Sequence, residues 1–208
     1  DLIVGLGDYV DRGPNSRGVI DLVRQLAERC QVVALRGNHE VMMLESLRGP
    51  SRSGADRKAS DDIEKIWRQC GGTAALASYG GRLSDVPDDH RQFLEQLQPY
   101  YETDTHIFVH ACYAPHRPMH KQSVDALYWT SLRDIVPPPH TSGKTVVVGH
   151  TPQKTGRPFD GGHIKGIDTF CWKSGWLTGY DVHAGTLWQV DKDGWFNGQT
   201  VVWSPVIT

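Results

Sequence analysis

Apolar residues fall along this chain in short runs that end in polar clusters, and their spacing predicts the elements. Leu2-Ile3-Val4-Gly5-Leu6 is a continuous apolar run of strand length, read as a buried strand already under way. After Pro14, Asn15 and Ser16 offer N-cap oxygens, and Val19, Ile20, Val23, Leu26 and Ala27 recur at helical spacing. A second run, Val32-Val33-Ala34-Leu35, completes a strand-helix-strand unit whose strands should be parallel neighbours. Polar clusters at 7–12 and 36–40 follow the carboxyl ends of both strands, where open α/β sheets place their ligands.

Helical character continues over 42–47, around 63–69, and over 87–97, where Phe93, Leu94 and Leu97 share a face and Pro87 stands at the start. Residues 48–61 are rich in Gly, Ser, Arg and Lys, so 48–100 is expected to be a flexible loop followed by a helical cap. Beyond residue 100 the texture turns to β, with runs at 107–110, 145–150, 163–168, 176–180 and 186–190. Pro137-Pro138-Pro139 predicts a stiff surface connection. Five of the seven tryptophans follow residue 170 and are expected to pack the second sheet.

With 208 residues and 38% apolar content, a single domain spanning 1–208 can bury its own core. The net charge of −2 gives no whole-chain field for nucleic acid or an anionic membrane, so neither partner is expected and any anion site must be local. Cys30, Cys70, Cys112 and Cys171 show no paired spacing of the zinc or redox kind, which predicts thiols in a reducing compartment. No run approaches the roughly 20 apolar residues of a membrane helix, and a cytoplasmic monomer is the expectation. The chain also opens inside a strand, so an upstream segment is expected to be missing from it.

Metal-ligating side chains collect at the ends of four apolar runs: Asp8 after Leu6-Gly7, Asn38 and His39 after Leu35-Arg36-Gly37, His110 after Phe108-Val109, and His150 after Val148-Gly149. Singly, each has a plainer reading, a turn aspartate or a hydrogen-bonded histidine. In combination they carry more. Gly7-Asp8-Tyr9-Val10-Asp11-Arg12-Gly13-Pro14, then Gly37-Asn38-His39-Glu40, then Val109-His110-Ala111 and Gly149-His150-Thr151 resemble, in the same order, the phosphoprotein phosphatase family of the calcineurin-like metallophosphoesterases. The motifs are similar to those of bacterial and phage-lambda-type protein phosphatases and of the symmetrical diadenosine tetraphosphate hydrolases.

The resemblance implies a four-layer αββα sandwich of two mixed β-sheets flanked by helices. It implies two divalent metal ions, manganese first with iron or zinc as alternatives, held by Asp8 as bridging carboxylate and by Asn38, His110 and His150. It implies in-line attack on phosphorus by a hydroxide shared between the ions, Arg12 clamping phosphoryl oxygens together with Asn38, and His39 protonating the leaving group while Asp11 orients it. Asp11 and Arg12 could instead form a local salt bridge.

Two departures matter. The family's first metal site uses an Asp-x-His upstream of the first motif, and none precedes Asp8 here. Relatives also place a second phosphate-binding Arg where this chain has Ser131, with Arg133 two positions later as the replacement candidate or a surface partner of Asp134. Cys112 stands where Val-His-Ala is often followed by Gly and reads as a packing residue, and Asp168 reads as a hydrogen-bonding support. The expected enzyme is a phosphomonoesterase acting on phosphoserine or phosphothreonine, with a phosphoprotein or small phosphorylated compound as partner. Hydrolysis of dinucleoside polyphosphates is the alternative, and an inactive phosphate-binding module the second one.

Overall fold

A computed structural model describes residues 1–49, 62–197 and 202–208. The chain forms two compact units, Asp1–Gln98 and Pro99–Thr208. Apart from Arg48 and Gly49, the predicted 48–61 insertion lies outside the described residues.

In the first unit, β1 (Leu2–Gly5) and β2 (Gln31–Ala34) pair in parallel, with Gly5 opposite Ala34. The connecting helix α1 (Ser16–Ala27) starts as the sequence predicts, Asn15 Oδ1 accepting the Gly18 N–H at 2.9 Å. β1 differs from its expectation. Leu2 and Ile3 are 38% and 42% exposed, because β1 has β2 on one edge and no neighbour among the described residues on the other.

Helix α2 (Asn38–Arg48) begins directly after the second polar cluster. A helix at residues 62–67 (α3) runs through a π-helical turn, Arg68–Gly72, into α4 (Thr73–Tyr79). The pattern predicts an end near Gln69, since Gly71-Gly72 reads as a breaker; instead Gly71, at φ 123, kinks the helix and lets it resume. Helix α5 (Asp88–Gln96) carries Pro87 as its N-cap. Ile20, Met43, Trp67, Leu76 and Leu94 form the buried centre of this unit. Burying an aliphatic side chain of that size stabilises by about 1.5–3 kcal/mol.

The second unit holds a five-stranded mixed sheet in the order β3-β4-β5-β7-β6. Its strands are β3 (Tyr100–Glu102), β4 (His106–Val109), β5 (Thr145–Val148), β6 (Phe159–Asp160) and β7 (Ile164–Gly166). The central three are parallel and the two edges antiparallel. Ile107, Phe108, Val109, Val146, Val147 and Val148 are all buried, the continuous apolar pattern that parallel strands covered on both faces require. A short helix, α6 (Val124–Tyr128), is capped by Ser123 Oγ and has too few residues to show periodicity in the sequence.

β8 (Leu177–Tyr180), β9 (Leu187–Val190) and β10 (Phe196–Asn197) form an antiparallel sheet. Leu187 and Gln189 are buried while Trp188 points outward. The late tryptophans therefore do not all pack this sheet as expected. Trp172, Trp188 and Trp195 are 44%, 41% and 75% exposed; Trp188 shares with Leu177 and Phe196 a strand face that is open to solvent, and Trp172 and Trp195 lie outside the strands. Trp203 is half-buried, edge-on to Tyr180 at 5.1 Å and beneath the Lys165 ammonium.

Candidate active site

The first unit assembles its polar cluster around one buried carboxylate. Glu40, with no exposed surface, accepts N–H bonds from Asp8 (2.9 Å), Tyr9 (2.7 Å), Val10 (3.2 Å) and Gly37 (2.8 Å). Residues 8–10 follow β1 and Gly37 follows β2, so a single side chain ties the two strand-end loops together. Gly37 must be glycine for this approach: a Cβ there would lie 2.2 Å from Asp8 Oδ1. The His39 N–H also reaches Asp8 Oδ1, at 3.4 Å.

Inside this frame His39 Nδ1 lies 2.5 Å from Asp11 Oδ2, both side chains being almost fully buried. The Trp67 indole N–H lies 3.0 Å and 2.9 Å from the two Asp11 oxygens, and the Asp11 N–H donates to Ser16 Oγ at 3.0 Å. Burial pushes the Asp11 carboxyl above its ordinary range, and the His39 and Trp67 bonds pull it back in part. Burial works against the His39 cation, but the Asp11 bond and the Asp8 charge outweigh it and hold the imidazole above its ordinary value. Asp11 is paired with His39, as the orienting role implies, and the alternative of a local Asp11–Arg12 salt bridge is not needed to hold its carboxylate. Arg12 projects outward, its N–H bonded to the Gly71 carbonyl at 3.2 Å, and Asn38 is buried at the first position of α2.

The second unit brings two histidines together on neighbouring parallel strands. Val109 is paired with Val148, so His110 and His150 emerge one and two residues past the same rung of the sheet. His110 Nε2 and His150 Nδ1 are 3.2 Å apart, with ring centroids 5.0 Å apart at 67°. The other His150 nitrogen, Nε2, lies 3.2 Å from the Trp129 carbonyl. A carbonyl only accepts, so Nε2 carries the proton and leaves a lone pair on Nδ1. A metal-ligating histidine commonly donates its other ring N–H to a carbonyl in this way, which fixes the ring's orientation. The spacing also fits: two imidazole nitrogens about 2.05 Å from one ion stand about 3.3 Å apart in tetrahedral geometry.

Asp8, Asp11, Arg12 and His150 have φ values of 57°, 76°, 61° and 59°. Left-handed backbone is uncommon for residues with side chains and gathers at functional sites. The Asp168 side chain accepts the Phe170 N–H at 3.0 Å and its carbonyl the Gln153 N–H at 2.8 Å, a supporting role. Arg133 is exposed, and its guanidinium donates to the carbonyls of Pro152 and Thr208. Ser131 Oγ faces Thr151 Oγ1 at 3.3 Å. Glu40 and Trp67 escape the sequence reading. The Gly37-x-x-Glu40 spacing of a capping box is a signal for the first; nothing local points to the second beyond the glycine pair that follows it.

The calcineurin-like phosphoesterase family signature matches residues 1–154. The chain belongs to that family. It is therefore a hydrolase of a metal-dependent class, to which the paired histidines contribute a candidate metal-binding group. Serine/threonine-protein phosphatase 1 of Salmonella typhimurium is 29% identical over 184 residues, which span 86% of this chain and 77% of that protein. Among solved structures, a candidate diadenosine tetraphosphatase superposes with a TM-score of 0.64 at 21% identity, over 94% of this chain and 81% of the other. A cold-active protein-tyrosine phosphatase of a psychrophilic Shewanella superposes with 0.58 at 17% identity, over 94% and 68%. Both structural likenesses speak to the metallophosphoesterase fold, a mixed α/β arrangement of helices and several sheets. Among the described residues no helix is long and apolar enough to cross a membrane.

Proposed function

We propose that this metallophosphoesterase is a phosphomonoesterase acting on phosphoserine or phosphothreonine in proteins, with His39 as its general acid. The observation that carries the reading is the buried His39–Asp11 pair at 2.5 Å, one residue from Arg12 and one from Asn38. An ionised Asp11 can only accept, so Nδ1 donates to it, and a doubly protonated His39 also presents Nε2–H for donation. Water adds to phosphorus, the ester P–O bond breaks, and the departing alkoxide takes the Nε2 proton; the proton released by water restores the imidazolium. Arg12 holds phosphoryl oxygens through its planar fork, and Arg133 joins it if it leaves the carbonyls it now occupies. Asp8, Asn38, His110 and His150 are the ligands we assign to two divalent ions, manganese first. Such ions, when bound, supply Lewis acidity at a phosphoryl oxygen and to the attacking water. A monomer in the cytoplasm completes the proposal, and the named Salmonella relative supports its substrate class.

The test is phosphate release by the full-length chain from p-nitrophenyl phosphate and from a phosphothreonine peptide, with and without manganese and with His39→Ala as control. Manganese-dependent turnover of both, lost in the variant, supports the reading. Preference for diadenosine tetraphosphate over the peptide would replace the substrate class, and failure to hydrolyse any phosphate ester would leave a phosphate-binding module.

A further inference from the structure

We infer that Trp67 is a positioning residue for the proton donor, aiming Asp11 so that Asp11 aims His39. The inference rests on the general-acid role proposed above for His39.

Trp67 has no exposed surface, yet its indole N–H is directed at both Asp11 oxygens within 0.1 Å of symmetry, at 3.0 Å and 2.9 Å. A donor on the bisector of a carboxylate fixes the rotation of that carboxylate, and a 2.5 Å bond from Oδ2 to His39 Nδ1 then fixes the imidazole plane. The bond is not incidental to packing, because the surrounding helix is distorted where it is made. Trp67 immediately precedes the π turn Arg68–Gly72. Gly72 lies against the indole, where a Cβ would come within 2.5 Å of the ring. Gly71, at φ 123, takes the Arg12 N–H on its carbonyl and leaves no room for a Cβ, which would lie 2.7 Å from that nitrogen. One turn of helix thus grips Asp11 by its side chain and Arg12 by its backbone. π turns inside helices are frequent at functional sites.

A positioning role separates from a packing role by its dependence on the leaving group. Protonation matters most when a poor leaving group departs. Trp67→Phe keeps an aromatic ring and removes the donor; incorporating benzothienylalanine at 67 replaces N–H by sulfur with nearly the same shape and serves if the phenylalanine variant does not fold. The metal-loaded full-length protein is assayed on an alkyl phosphate and on 2,4-dinitrophenyl phosphate. The expected result is a fall in kcat of about 10- to 100-fold on the alkyl ester, part of the roughly 10²- to 10⁴-fold a general acid supplies, with KM unchanged. Turnover of the dinitrophenyl ester should change by less than about threefold, since that leaving group needs no proton, and His39→Ala should show the same split. Equal losses on both esters, or no loss on either, would overturn the inference while leaving the phosphoesterase reading intact; a parent enzyme that hydrolyses neither would overturn the reading itself.

Discussion

Replacing Glu40 by Gln should cost more than any surface change on the same helix. The side chains are isosteric, so packing is preserved and only the hydrogen-bond inventory changes. Glu40 accepts four backbone N–H groups, two on each oxygen: Tyr9 and Val10 on Oε1, Asp8 and Gly37 on Oε2. A glutamine oxygen can keep one pair. Its NH₂ must then face the other pair, donor against donor. Two bonds to a charged acceptor are lost, each worth about 1.5–3 kcal/mol, so the full penalty is about 3–6 kcal/mol before relaxation of residues 8–10 recovers part. At about 2–4 °C per kcal/mol for a chain of this size, the transition that includes the first unit should fall by about 10 °C. Thermal unfolding checks the magnitude, and hydrogen exchange at the Asp8, Tyr9 and Val10 amides checks the cause, because these amides should lose protection first. Glu45→Gln, which removes a half-exposed partner of Arg48, is the control and should shift stability by less than about 0.5 kcal/mol. If Glu40→Gln matches that control and the three amides stay protected, the clamp contributes nothing and the argument is wrong.

Removing either imidazole, by His110→Ala or His150→Ala, should lower bound metal measured by elemental analysis after dialysis, and unchanged stoichiometry in both variants would reject the pair as ligands. Gly71→Ala should destabilise the first unit by about 2 kcal/mol or more, combining left-handed strain with a backbone clash at Arg12; denaturant midpoints decide, and a neutral result would mean the π turn can reshape. Burial opposes ionisation of Asp160, but the Lys165 ammonium at 2.5 Å and the Gly162 N–H outweigh it, so its pKa lies below the ordinary 3.8. Its contribution is then present above about pH 4 and is lost as the pH falls through the lowered value. The pair is open enough to solvent to be worth less than about 1 kcal/mol, and Asp160→Asn should be slightly less stable than the parent at neutral pH, with the difference shrinking as the pH falls below about 4, as urea midpoints would report.

Sequence reading recovers what is written in local periodicity. The Leu2–Gly5 and Gln31–Ala34 strands, the Asn15-capped helix between them and the runs leading to His110 and His150 all stand close to their expected places. It also singles out residues whose side chains stand together in the structure, His39 beside Asp11 and His110 beside His150. It does not recover partners that act across distance. Glu40 lies 30 to 32 residues from the loop it holds, and Trp67 lies 56 residues from Asp11. The Gly37-x-x-Glu40 spacing signals only the bond to Gly37, and the glycines after Trp67 do not name Asp11 as its partner. The continuation of the helix past Gly71 is hidden for another reason: glycine pairs usually end helices, and only a tertiary contact with Arg12 makes the kink favourable here. The exposure of Leu2, Ile3 and Trp195 follows from which edges and faces the sheets leave uncovered, a property of assembly rather than of any one segment.

The backbone at Asp8, Asp11, Arg12 and His150 sits where glycine would rest without strain. Each non-glycine residue there costs the fold on the order of 1 kcal/mol, so persistence of the folded chain and retention of these side chains pull in opposite directions. Laboratory evolution makes the conflict visible. A library selected only for heat resistance should drift toward glycine at exposed Arg12 but not at Asp11, whose carboxylate holds the buried His39 and Trp67 donors, and one selected for turnover should purge glycine at both, so the direction of drift reveals what each position is kept for.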